Sequence, residues 1–234
     1  MFKVLLWDID GTILDFKAAE KVAIKNCFKI IGGLGECTDE MIEKYSAINH
    51  KYWEALERGE MLKKDILVYR FRDFFNLYGL DSSKAEAFNN EYQIRLGDTV
   101  VFRDDCKPLI EGLKGKVLQC AVTNGTKEAQ TRKLKNSGLD VVFDDVFISD
   151  VVGVEKPGAE FFDKVFETID IEGKGISKDE ILIIGDSLTS DIKGGNNAGI
   201  KTCWYNPFNA VNDKGVAVDY DIKNLEEVLK LVAK

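Results

Sequence analysis

Asp8 and Asp10, separated by one residue, follow the apolar run Val4-Leu5-Leu6-Trp7 near the start of the chain. Along a strand, alternation points both to the same side. Two like charges on one side are costly unless a cation sits between them, so the pair suggests a magnesium site. Four further groups stand at or just beyond the ends of other apolar runs: Thr123, Lys156, Asp186 and, five residues on, Asp191. Together these residue types suit phosphoryl transfer. A carboxylate can attack phosphorus and give an aspartyl-phosphate that water later hydrolyses. The charge on the phosphoryl oxygens needs a cation and donors. Magnesium prefers oxygen ligands and keeps several waters, so two or three carboxylates suffice. Thr123 offers a hydroxyl, Gly125 allows backbone amides near the phosphate, and Lys156 supplies a point charge that offsets the acids. One carboxylate must stay outside the metal's control to shuttle a proton to the leaving oxygen.

Each group has a plainer reading when taken singly. Asp-x-Asp can lie in a turn, Thr123 can cap a helix, Lys156 can be a surface lysine, and Asp191 can be an acid in the first turn of a helix. Their recurrence at strand ends favours chemistry, because a parallel sheet gathers such ends into one crevice.

The positioning elements follow from the apolar pattern. Strands are expected at residues 4–7, 116–122, 146–149, 181–184 and 201–205. Helices are expected at about 127–136, 159–168, 189–199 and 225–232, with Pro157 at a helix entry. Strands alternating with helices imply an α/β fold, a Rossmann-like parallel sheet with helices on both faces. Between residues 16 and 97 the pattern is helical throughout. Ala19, Val22, Ala23, Cys27 and Ile30 fall on one helical face, and Met41, Ile42, Tyr45, Ile48, Tyr52, Trp53 and Leu56 on another, with Gly32, Gly33 and Gly35 between. Two more helices cover about 63–78 and 83–96. This stretch reads as an insertion above the strand ends, able to close over the site. The expected division is residues 1–15 with 98–234 as the catalytic core, and 16–97 as an inserted helical cap.

Composition narrows the function. The chain has 234 residues, 45% hydrophobic, enough to bury a full core, and its net charge of −8 argues against binding nucleic-acid backbones. No apolar run is long enough to span a membrane. The five cysteines, irregularly spaced and without Cys-x-x-Cys, suit free thiols in a reducing cytoplasm. His50 is the sole histidine, which removes His-x-x-x-His zinc sites. Neither a phosphate-binding Gly-x-x-x-x-Gly-Lys-[Ser/Thr] loop nor a Gly-x-Ser-x-Gly elbow is present.

Asp8-Ile9-Asp10-Gly11-Thr12, Val122-Thr123-Asn124-Gly125, Lys156-Pro157 and Gly185-Asp186-Ser187-Leu188-Thr189-Ser190-Asp191 occur in that order. With them the whole chain resembles the haloacid dehalogenase-like superfamily, and residues 16–97 look like its four-helix cap. The resemblance implies Asp8 as nucleophile and Asp10 as general acid/base. It implies magnesium held by Asp8, the backbone carbonyl of Asp10 and Asp186, with Asp191 supporting the metal shell or Lys156. Thr123, Asn124 and Lys156 would bind the phosphoryl group. Leu5 to Thr12, Gly185 to Ile192, and Ala198 to Pro207 are similar to the bacterial house-cleaning pyrimidine 5′-nucleotidases. That likeness implies a nucleoside monophosphate, pyrimidine or non-standard, as the small-molecule partner, and a monomer or small homo-oligomer.

Asn49, Trp53 and Arg70 are candidates to read the leaving group, with His50 and Glu57 beside them and Asn206 and Phe208 beyond residue 205. Trp53 is more often core than a base-stacking platform, and His50 more often a solvated helix residue. The competing functions are a phosphatase of sugar phosphates or phosphoglycolate, a phosphomutase, a haloacid dehalogenase and an inactive regulator. Asp10 speaks against the dehalogenase, and the intact set Asp8, Asp10, Lys156 and Asp186 against the regulator.

Overall fold

A computed structural model describes residues 1–233. The first strand, β1 (Val4–Trp7), is followed by four helices: α1 (Phe16–Ile31), α2 (Asp39–Glu57), α3 (Lys63–Leu77) and α4 (Ala85–Asp98). The chain then runs α5 (Lys107–Leu113), β2 (Leu118–Thr123), α6 (Lys127–Ser137), β3 (Asp145–Ile148), α7 (Ser149–Val152) and α8 (Ala159–Ile169). It ends with β4 (Ile181–Gly185), α9 (Lys193–Ala198), β5 (Lys201–Tyr205), β6 (Tyr220–Ile222) and α10 (Val228–Val232).

The six strands form one parallel sheet in the order β3-β2-β1-β4-β5-β6. The chain winds outward from β1 through β2 to β3, then returns to lay β4 on the other side of β1. The switch in direction therefore lies at β1 and β4, where an open α/β sheet leaves a crevice at its carboxyl ends. Alternation along β1 sends Leu5 and Trp7 to one face, under Ile110, Leu134 and Val228 from α5, α6 and α10. It sends Val4 and Leu6 to the other, against Phe161, Phe162 and Val165 of α8. Both faces are covered, so β1 and β4 are apolar throughout. Each such fully buried side chain contributes about 1.5–3 kcal/mol.

The four helices α1–α4 enclose a core of their own, rich in Phe28, Tyr45, Phe71, Phe74, Phe88 and Tyr92. Ala129 of α6 joins it, so this layer rests on the sheet domain through α6. The chain crosses between the two parts twice, side by side. Leu14 and Phe102 form an antiparallel bridge, Asp15 N–H donates to Val101 O (2.8 Å), and Arg103 N–H donates to Ile13 O (2.9 Å). On entry, the Asp15 carboxylate caps α1 by accepting from Ala18 N (3.0 Å).

Several expectations are displaced. The buried face of α1 is Ala19, Glu20, Ala23, Ile24, Cys27 and Phe28, whereas Val22 and Ile30 are exposed. The face is turned because Glu20 is buried as an acceptor for Ser46 and Asn49, which no apolar count registers. β2 begins two residues late and includes Thr123. The expected helix at 189–199 is a π-helical turn, Leu188–Ile192, followed by the short α9. α5, α7 and β6 are additional. α8 starts at Ala159 as expected, with Pro157 just before it.

Candidate functional site

The sheet brings the ends of β1, β2 and β4 side by side: Trp7 lies level with Ala121 on one flank and Ile184 on the other. Asp8, Thr123 and Asp186 therefore emerge next to one another. Asp8 N–H still donates to Ile184 O (2.9 Å), so the strand pairing itself fixes where the carboxylate begins. Lys156 arrives from the loop before α8. Its buried ammonium donates to Asp8 Oδ1 (2.9 Å), Asp191 Oδ1 (2.6 Å) and Val122 O (2.7 Å). All three donors of the group are used, which fixes its position.

Carboxylate oxygens of Asp8, Asp186 and Asp191 all lie within 4.8 Å of one another. One lysine cannot neutralise three acids. Burial, followed by the charge of Asp191, pushes the Asp8 carboxyl well above the usual range despite Lys156. The same two causes push Asp186, which lies at the open side of the cluster, up to about 7. Burial disfavours the charge on Lys156, but Asp191 and Asp8 outweigh it and hold the ammonium charged. An all-oxygen donor set at this spacing, with uncompensated negative charge, fits magnesium. Its members differ in freedom. Asp191 spends both oxygens on protein, on Lys156 and on the Ser187 amide (3.1 Å). Asp8 Oδ2 accepts only from the Thr12 hydroxyl (3.1 Å), and Asp186 is the most open. Gly11 and Gly185 permit this crowding. A Cβ on Gly11, at φ +102°, would stand 2.4 Å from an Asp186 oxygen, and one on Gly185 2.2 Å from Asp191.

Asp10 does not share a cation with Asp8 through its side chain. β1 has ended, strand alternation no longer applies, and the Asp10 carboxylate turns to α6, accepting from Gln130 Nε2 (2.6 Å) and from Lys133. The two aspartates thus have separate partners and can take separate tasks. Lys133 is fully buried, with Phe16 beneath its ammonium at 5.4 Å. Sequence reasoning missed Lys133 and Gln130. The signal was there: Lys133 follows Ala129 by four residues, on the buried face with Leu134.

Thr123 is buried, its hydroxyl accepting from Gly125 N–H (3.1 Å). Asn124 is engaged differently from a phosphate ligand. Its Oδ1 accepts from Lys156 N–H (2.8 Å), and its Nδ2 donates to Lys156 O (2.8 Å) and to Ser190 Oγ (3.2 Å). The side chain is a clamp on the lysine's backbone.

In the helical layer, Asn49 and Arg70 are buried and occupied with each other. Arg70 Nη1 donates to Asn49 Oδ1 (2.8 Å) and Nη2 to Asn89 Oδ1 (3.0 Å), while Asn49 Nδ2 donates to Glu20 (3.0 Å). The chain continues from Gln93 Nε2 to Asn89 (3.0 Å) and from the Thr126 hydroxyl to Gln93 Oε1 (2.7 Å), reaching the N-terminus of α6. Trp53 is half-buried and lines a cavity of about 30 Å³ with Asp10, Phe16, Arg70, Tyr92, Gln93 and Gln130, room for about one water. Glu57, at the end of α2, accepts from the Thr189 hydroxyl (2.5 Å); burial foremost lifts its carboxyl to about 7. His50 is 74% exposed and Phe208 76% exposed, and Asn206 closes its own loop onto Ala210. No helix among the described residues is long and apolar enough to cross a membrane.

Residues 5–205 match the family model for haloacid dehalogenase-like hydrolases, and the chain belongs to that family. It is 36% identical to the HAD-hydrolase YfnB of Bacillus subtilis, over 99% of this chain and 95% of that one. It is 35% identical to the pyrimidine 5′-nucleotidase PynA of Streptococcus pneumoniae, over 100% of this chain and 96% of that one. The crystal structure of B. subtilis YfnB, bound to magnesium and showing interdomain movement, superposes with a TM-score of 0.90 at 35% identity, covering 100% of this chain and 99% of that one.

Proposed function

We propose that this haloacid dehalogenase-like hydrolase is a magnesium-dependent phosphatase of nucleoside 5′-monophosphates, acting through an aspartyl-phosphate on Asp8. The observation that carries the reaction type is the division between the two aspartates. Asp8 lies on the lysine and in the acidic cluster, while Asp10 lies apart on Gln130 and Lys133. The nucleotide reading is supported by full-length similarity to PynA. In this reading residues 16–97 are the cap and residues 1–15 with 98–234 the core.

An Asp8 oxygen attacks phosphorus as the ester oxygen departs, and Asp10 delivers the proton that the leaving oxygen needs. Water then attacks the acyl phosphate, Asp10 takes up its proton, and inorganic phosphate leaves with Asp8 restored. Lys156 faces the phosphoryl charge, and Asp191 and Asn124 hold it there. Asp8 and Asp186 are the residues free to hold magnesium. When bound, the ion supplies positive charge opposite the phosphoryl oxygens. Phosphate release from a panel of UMP, dUMP, dTMP, AMP, sugar phosphates and phosphoglycolate, with magnesium and with chelator, tests the reading. Nucleotides should lead and chelation should stop turnover. A clear lead for sugar phosphates, or activity that survives chelation, would overturn it.

A further inference from the structure

Asn49, Trp53 and Glu57 are spaced four residues apart on α2 and project from one face. Asn49 ends in the helical core, Trp53 in the cavity beside Asp10, and Glu57 on Thr189, two residues before Asp191. This face therefore runs across the crevice, from the aspartate that would protonate the leaving group to the rim of the acidic cluster. A leaving group attached to a phosphoryl on Asp8 would pass beneath it.

Most of the cations around that path are already matched; the exception is Arg103, which pairs with Asp15 (3.4 Å) but keeps a buried Nε without a partner and acts on Asp186. Lys156 is shared by Asp8 and Asp191, Lys133 is on Asp10, and Lys63 is on Asp150 (2.8 Å) and Glu155 (3.3 Å). The Arg70 guanidinium is bound by Asn49 and Asn89 and faces Phe71 and Tyr92. A carboxylate or second phosphate on the leaving group would find these cations spent and the Glu57 carboxylate overhead. A neutral hydroxyl or N–H would find an acceptor there instead.

Resting on the phosphatase reading, we propose that Glu57 sets specificity. It rejects esters whose leaving group is anionic and accepts a hydrogen bond from an uncharged polyol or nucleoside. Repulsion between like charges across a partly screened crevice is on the order of 10- to 100-fold in kcat/KM.

The test compares 2-hydroxyethyl phosphate with 2-phosphoglycolate, two small esters that differ chiefly by the carboxylate. It is run with magnesium at pH 8.5, where Glu57 is ionised. The wild type should favour the uncharged ester by about tenfold or more. Glu57→Gln keeps an acceptor for Thr189 and removes only the charge, so it should erase most of that preference by raising the rate on 2-phosphoglycolate. Glu57→Asp should retain the preference, and melting curves show that each variant is folded. An unchanged substrate ratio in folded Glu57→Gln, with both esters hydrolysed, overturns the proposal while leaving the phosphatase standing. No phosphate from either ester, nor from UMP assayed beside them, with any form of the protein overturns both.

Discussion

Replacing Asn124 by alanine separates a phosphate ligand from a clamp. The side chain makes two reciprocal bonds of 2.8 Å to the backbone of Lys156 and one of 3.2 Å to Ser190. At a net ~1 kcal/mol per bond, and more where a buried partner is left unsatisfied, the loss is about 2–4 kcal/mol. For a chain of this size each kcal/mol moves Tm by roughly 2–4 °C, so Tm should fall by about 5–15 °C. The Lys156 ammonium is aimed at three acceptors at once, and a displacement of about 1 Å costs on the order of 100-fold in rate. kcat should fall by about that factor with KM little changed. Thermal unfolding and steady-state phosphate release measure the two effects. Unchanged Tm together with a KM raised tenfold or more would show that the amide touches the phosphate, and the clamp argument would fail.

Asp8→Asn should reduce turnover by about 10⁴-fold or more while holding or raising Tm, since the neutral amide replaces a carboxyl whose charged form burial and Asp191 disfavour; a variant that still turns over moves the nucleophile elsewhere. Gly185→Ala should cost about 1–3 kcal/mol by driving a methyl into Asp191, and a wild-type melting curve would contradict that approach. Arg70→Met should cost about 3–5 kcal/mol by denaturant titration, because Asn49, Asn89 and the buried Glu20 lose their cation. The raised carboxyls fix the sign of a pH effect. Folded Asp8, Asp186 and Glu57 keep protons that the unfolded chain gives up near pH 4, so the metal-free protein loses stability as pH rises from about 4 to 7. Magnesium needs the ionised form, so its increment in Tm should be larger at pH 8 than at pH 5. An increment larger at pH 5 would remove the cluster as the binding site.

The strand ends were legible because each buried strand is a short apolar run that stops at a polar residue, as Trp7-Asp8 and Gly185-Asp186 do. The parallel order then follows from the intervening helices. What escaped was contact between distant segments. The turn of Asp10 toward α6 depends on where β1 ends, and one residue decides it. The reversed duty of Asn124 depends on Lys156 lying beside it across 32 positions. Glu20 and Arg70 are buried by pairing with other polar side chains, which hydrophobic periodicity cannot show. β6 is three residues long and carries too little pattern to be read.

The paired crossings at residues 13–15 and 101–103 have a mechanical consequence. Two short segments hydrogen-bonded side by side resist twisting and sliding, so they leave the helical layer mainly one soft direction, a swing like that of a door. α4 enters this strip at Asp98, so its seam with α6, including Gln93 on Thr126, moves least. The far edge would move most, and there the attachments are side-chain ones: Glu57 on Thr189, Glu54 on Lys214, and Lys63 on Ser149, Asp150 and Glu155. A swing about this strip would part the rim beside Asp191 first and leave Asp10 sheltered near the jamb. In the proposed mechanism, traffic in and out of the crevice would pass the phosphoryl end before it reached Asp10.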